Sequence, residues 1–176
     1  MRTLVLGGIR SGKSDWAEAA IAGSAGPVRY LATGPAADSD PSWAQRVAAH
    51  RARRPPQWVT VESADVAEQL RTDPATATLV DDIGGWLTGV MDRADAWNGG
   101  PVDGPVAELI DAVGEFRAPL VLVSPEVGLS VVPATAAGRC FADELGTLNR
   151  RLAAVSERVV LVVAGLAVPI KPERKS

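Results

Sequence analysis

Residues 7–14 read Gly-Gly-Ile-Arg-Ser-Gly-Lys-Ser, which fits GxxxxGK[ST] and constrains the fold more than any other stretch of the chain. The motif follows an apolar run at 3–6 that reads as a buried strand, and it opens a helical pattern over 13–21. A strand, a glycine-rich turn and a helix start in that order let backbone N–H groups converge on phosphate oxygens, with the positive end of the helix dipole behind them. Gly7, Gly8, Ile9, Arg10, Ser11, Gly12, Lys13 and Ser14 are therefore the expected nucleotide-binding loop. In that reading Lys13 reaches the β- and γ-phosphates as a catalytic group, and Ser14 holds Mg2+. The competing reading is a tight glycine turn with an incidental lysine.

Four further apolar runs bounded by turn residues, at 28–32, 77–80, 119–123 and 158–164, read as buried strands, and 168–170 reads as a short edge strand. Between them lie helical patterns at 43–54, 66–71, 106–116 and 135–155, the last with Phe141, Leu145, Leu148 and Leu152 on one stripe. Strands alternating with helices predict an α/β fold: a P-loop NTPase-like three-layer arrangement, with a mostly parallel sheet and helices on both faces. At 176 residues, without repeats or a boundary-like linker, the chain is expected to be one nucleotide-binding domain over 1–176. The stretch 92–104 reads as a surface loop.

Composition narrows the partners. The formal charge of −3 gives no basic surplus for a nucleic-acid grip. No apolar run reaches the roughly 18 residues of a membrane span, residues 1–7 do not read as a signal peptide, and one cysteine, Cys140, predicts a reducing compartment, so a cytoplasmic location is expected.

Two further features suggest chemistry. Asp81 and Asp82 close the apolar run at 77–80, where a P-loop enzyme places its second metal-side carboxylate; Asp81 is the first choice, and either residue could instead cap a turn before Gly84-Gly85. The only histidine, His50, lies on the 43–54 helical pattern with Arg46, Arg53 and Arg54 on its own face. Nearby positive charge favours the neutral, nucleophilic imidazole, and the arginines could grip nucleotide phosphates. A lone histidine of a basic helix is more often a surface or packing residue.

Several segments occur together in order: Gly-Gly-x-Arg-Ser-Gly-Lys-Ser, Tyr30-Leu31-Ala32-Thr33, Arg46-x-x-x-His50-Arg51-x-x-Arg54-Pro55-x-x-Trp58-x-Thr60-x-Glu62, Glu126-Val127-Gly128, Val132-Pro133, Arg139-x-Phe141-x-Asp143 and Gly146-x-Leu148-Asn149. In these the chain resembles the bifunctional adenosylcobinamide kinase / adenosylcobinamide-phosphate guanylyltransferase family over nearly its whole length. The resemblance implies phosphorylation of adenosylcobinamide by ATP or GTP. It also implies transfer of GMP from GTP to adenosylcobinamide phosphate through a GMP–histidine intermediate on His50. It further implies nucleotide-binding roles for Thr33, Arg51, Ala52, Arg53, Arg54, Glu62 and Asp81, with Ser14 and Asp81 at Mg2+, and a homo-oligomer, a trimer. Glu62 would accept from guanine N1–H and the 2-amino group; without the resemblance it reads as a solvated strand-end acid.

The family's Asp-Cys-x-Thr-x-Trp-x-x-Asn is here Asp81-Asp82-Ile83-Gly84-Gly85-Trp86-Leu87-Thr88-Gly89, its Asn-Glu-Val-Gly is Pro125-Glu126-Val127-Gly128, and Ala142 stands for the second Arg of Arg-x-Phe-Arg-Asp. These departures remove polar side chains around the acceptor and bear on the kinase step, whereas the loop and His50 match. Two other functions fit the bare motifs: a P-loop small-molecule kinase without a covalent intermediate, and a non-catalytic nucleotide switch.

Overall fold

The computed structural model describes residues 1–34 and 55–172. In chain order, numbering helices among the described residues, these form β1 (Arg2–Gly7), α1 (Lys13–Ala22), β2 (Val28–Ala32), β3 (Val59–Glu62), α2 (Val66–Thr72), β4 (Ala77–Asp81), α3 (Ile83–Arg93), a 3-10 turn (Ala96–Asn98), α4 (Asp103–Glu115), β5 (Leu120–Pro125), α5 (Ala136–Val155), β6 (Arg158–Val163) and β7 (Leu166–Lys171). The seven strands make one sheet in the order β3-β2-β4-β5-β1-β6-β7. Every pairing is parallel except β6 with β7.

Period-two alternation along the central strands feeds two cores. Leu4, Leu31, Val80, Leu120, Leu122 and Val159 face α2 to α5, packing with Leu70, Leu87, Leu109 and Leu145. Their neighbours Val5, Tyr30, Leu79, Val121, Val123 and Val160 face the other way, against Ala17 and Ile21 of α1. Each such side chain stabilises the fold by roughly 1.5–3 kcal/mol, so a sheet apolar on both faces requires a helical layer on each. The expected three-layer α/β fold is observed. The hairpin joining β6 to β7 turns at Ala164 and Gly165, both left-handed at φ 51° and 80°, as a two-residue hairpin turn requires.

The expected strands appear within two residues of their predicted bounds, and the predicted helices other than 43–54 appear with small shifts; Thr135 caps α5, its side chain accepting from Gly138 N. The 43–54 pattern with His50 lies outside the described residues. Two elements were not anticipated. β3 is an exposed four-residue edge strand, Val-Thr-Val-Glu, with no apolar run to reveal it. α3 begins where Gly84-Gly85 suggested a turn, and Asp82 caps this helix rather than a turn. The stretch read as a loop over 92–104 instead holds the end of α3, the 3-10 turn and the start of α4.

Candidate functional site

The glycine-rich loop leaves β1 at the C-terminal edge of the sheet and closes on itself through backbone contacts. Ser11 N donates to the Gly8 carbonyl at 3.3 Å, and Trp16 N to the Gly12 carbonyl at 3.0 Å. Two long-range bonds fix its ends: Glu126 N donates to the Gly7 carbonyl at 3.0 Å, and Gly165 N to the Ser11 carbonyl at 2.8 Å. Gly7 is sterically required, because a Cβ there would overlap Ser11 Oγ and lie 2.8 Å from the Val162 carbonyl oxygen. Gly12 caps α1 at φ 90°, and a Cβ there would lie 3.2 Å from Gly165 Cα. Gly8, Ile9 and Arg10 form the exposed tip, while Gly12, Lys13 and Ser14 are half-buried. Lys13 Nζ reaches back to the Gly8 carbonyl at 3.4 Å, which keeps the ammonium over the loop. Ser11 Oγ is buried with no hydrogen-bond partner among the described residues. A buried hydroxyl costs free energy unless something bonds to it, so this one marks where the cradle expects an acceptor oxygen.

β4 ends two strands away, about 10 Å at the usual strand spacing. Tyr30 Oη donates to Asp81 Oδ2 at 2.7 Å, orienting that carboxylate at the strand end. Thr33 holds the next turn: its N–H donates to the Asp81 carbonyl at 3.3 Å and its hydroxyl to the Asp82 carbonyl at 2.5 Å. Asp82 Oδ1 accepts from Gly85 N at 2.6 Å and so caps α3. Burial holds the Asp82 carboxyl above the usual range; the Gly85 N–H opposes this, Asp81 adds to it, and the Lys13 ammonium opposes it. Asp82, which stands where the family pattern has cysteine, is thus electrically coupled to the loop lysine. The sequence offers Asp82 as second choice to Asp81 or as a turn cap; an acid directly after a strand-end acid, with glycines two and three residues on, is the signal that marks it.

The structure gathers Gly7 to Ser14, Thr33, Asp81 and Glu62 on the same edge of the sheet. Glu62 pairs in register with Ala32, which pairs with Asp81, and it lies four strands, about 19 Å, from β1. Glu62 therefore lies at the far end of this edge from the loop. His50, Arg51, Ala52, Arg53 and Arg54 lie outside the described residues. A cleft lined by Asp15, Glu18, Ala19, Ala22, Pro55 and Trp58 includes none of the loop residues.

The donors available for Mg2+ are oxygens, the Ser14 hydroxyl at the start of α1 and the Asp81 carboxylate, and these hard donors suit that ion. Among the described residues no three His, Cys, Asp or Glu side chains gather into a cage. Mg2+ beside a nucleotide is ordinarily held by one or two protein oxygens with water and phosphate supplying the rest, so the residues present fit it.

A parallel α/β sheet with a glycine phosphate cradle and strand-end carboxylates defines a P-loop nucleotide-dependent protein. A solved ATPase of the type III secretion system of pathogenic bacteria superimposes with a TM-score of 0.57 over 96% of this chain, at 12% identity, and the chain spans 56% of that ATPase's length; this likeness bears on the fold alone. The chain belongs to the cobinamide kinase / cobinamide phosphate guanyltransferase family, which it matches over residues 3–170. It is 41% identical to the bifunctional adenosylcobalamin biosynthesis protein CobP of Pseudomonas aeruginosa, covering 98% of this chain and 99% of that protein. It is 35% identical to the bifunctional adenosylcobalamin biosynthesis protein CobU of Escherichia coli, covering 97% and 100%.

Proposed function

We propose that this chain phosphorylates the hydroxyl of adenosylcobinamide with a nucleoside triphosphate and then transfers GMP from GTP to the new phosphate, releasing pyrophosphate. The observation that carries the reading is the phosphate cradle: a loop tied at both ends, a lysine over it, and a buried serine hydroxyl left for an acceptor oxygen. In the kinase step the substrate hydroxyl oxygen attacks the γ-phosphorus and gives up its proton to solvent, the bond to the β–γ bridging oxygen breaks, and the nucleoside diphosphate leaves. Loop N–H groups and Lys13 stabilise charge on the transferring phosphoryl group. Ser14 and Asp81 would hold Mg2+, which when bound would supply further neutralisation of the phosphate oxygens.

For the second step, a nitrogen of His50 displaces pyrophosphate from the α-phosphorus of GTP. The substrate phosphate then attacks the GMP–histidine phosphorus and the imidazole leaves. Dividing one hard displacement into two easier ones is the purpose of such an intermediate, with Arg51, Arg53 and Arg54 steadying the oxyanions. Ala52 lies in the same nucleotide-binding segment, Thr33 supports the nucleotide edge, and Glu62 selects guanine by accepting from its N1–H and 2-amino group. We place the enzyme in the cytoplasm as a homo-oligomer, a trimer by family resemblance, acting on ATP, GTP, adenosylcobinamide and its phosphate, with no nucleic-acid partner. Among the described residues no helix is long and apolar enough to cross a membrane.

Incubation with α-labelled GTP and Mg2+, followed by denaturation, tests the covalent step. We expect an acid-labile, base-stable label that His50→Ala abolishes. Folded, active protein that takes up no label would sink the intermediate and leave a simple kinase.

A further inference from the structure

Pro125 touches three parts of the site. It ends β5 opposite Gly7 in the parallel ladder. The next residue, Glu126, ties itself to the Gly7 carbonyl. From α5, buried Asn149 donates from Nδ2 to the Pro125 carbonyl at 3.0 Å and accepts from Ser124 Oγ at 2.6 Å, which fixes the strand end from behind. On the other side, the proline ring occupies the space into which a side chain at position 84 would project. A Cβ built on Gly84 would lie 2.8 Å from Pro125 Cγ, 3.0 Å from its Cδ and 3.3 Å from Asp82 Oδ1. Gly84 is buried in the first turn of α3, the turn that Asp82 caps.

The Cδ lies there only because the ring closes onto the backbone nitrogen, where any other residue has an N–H, and the same closure pins Cγ beside it. A ring is also rigid, so it cannot swing aside as the end of a flexible side chain could. Both positions depart from the family pattern, and the geometry ties one to the other: the ring at 125 requires the bare backbone at 84.

We propose that Gly84 and Pro125 are a coupled pair of positioning residues, the ring wedged against the first turn of α3 so that the phosphate loop and the Asp81–Asp82 strand end keep a fixed separation. The packing half of this proposal stands on geometry alone, while its kinetic half rests on the kinase reading above.

A double-mutant cycle on the full chain tests it, with thermal midpoint and the kinetics of phosphoryl transfer to cobinamide as readouts. In the Pro125 background, Gly84→Ala should lower the midpoint by about 5 °C through overpacking and lower kcat about tenfold with little change in nucleotide KM. In the Pro125→Ala background the same Gly84→Ala change should raise the midpoint by about 1–2 °C, because alanine is the better helix former and, of the three close approaches, only the one to Asp82 Oδ1 at 3.3 Å remains. There it should cause no further loss of kcat beyond that of Pro125→Ala alone, which itself lowers kcat because the wedge is gone. Equal shifts of the same sign in both backgrounds would overturn the pair. Full wild-type kcat in Pro125→Ala alone would overturn the positioning role. If Gly84→Ala alone does not fold, recovery of a folded, active double variant supports the proposal and failure to recover overturns it. Should the wild-type chain transfer no phosphate at all, the activity reading fails, and the midpoint cycle still decides the packing pair.

Discussion

Ser11 shows how a single atom can link stability to ligand binding. Its hydroxyl is buried without a partner among the described residues, so it costs the free protein some stability and becomes useful only when a phosphate oxygen arrives. Ser11→Ala should therefore raise the stability of the nucleotide-free protein by about 1 kcal/mol and shrink the midpoint shift produced by added ATP, as seen in paired melting curves. A variant that is neither more stable nor weaker in binding would show that the hydroxyl has another partner. At this scale the sequence was most legible where the geometry is local: the glycines, Lys13 and Ser14 lie within eight consecutive residues that form the expected turn and helix start. Asp82 was harder to read, because its importance comes from burial and from the charge of Lys13, which sits on a strand-loop-helix unit made much earlier in the chain.

Elements were legible in proportion to how much apolar surface they bury. β4 and β5 are continuous apolar runs because both of their faces are covered, and α5 displays its stripe of Leu145, Leu148 and Leu152 openly. β3 escaped because an exposed edge strand needs no apolar run. α3 escaped because Gly84, Gly85 and Gly89 resemble turn residues, although Ile83, Trp86, Leu87, Val90 and Met91 carry the helical spacing and bury the whole inner face. At the opposite end of the sheet, a charge cluster joins three elements: the Arg2 side chain on β1 bonds Glu157 just before β6, with Nε to Oε1 at 3.0 Å, and also the Gly114 carbonyl of α4. The Arg2 hydrogen bond holds the Glu157 carboxyl down at about 2, against an ordinary 4.5. A carboxylate depressed on folding stabilises the native state above its unfolded pKa and loses that contribution as pH falls through the folded value. Glu157→Gln should thus lower the midpoint by about 3 °C at pH 7, a modest figure because the side chain is 43% exposed and screened by solvent. The difference should shrink below pH 4.5 and vanish near pH 2 in melts across that range.

For the molecule as a whole, the phosphate loop is completed by residues that sequence spacing could not bring together. Gly165, at the tip of the antiparallel hairpin, bonds the Ser11 carbonyl and packs on Gly12. Its φ of 80° suits glycine alone, so Gly165→Val should distort the hairpin tip and weaken ATP binding about tenfold while the circular dichroism of the sheet persists. Unchanged affinity, measured by calorimetry, would mean the hairpin and the loop are independent. The same contact bears on synthesis. β1 is made early, yet its sheet partners are β5 and β6, and the anchor of its loop is translated after both. A growing polypeptide therefore carries the complete nucleotide motif long before it has the shape that grips a nucleotide, and a chain interrupted ahead of the last hairpin would display the motif without sequestering GTP.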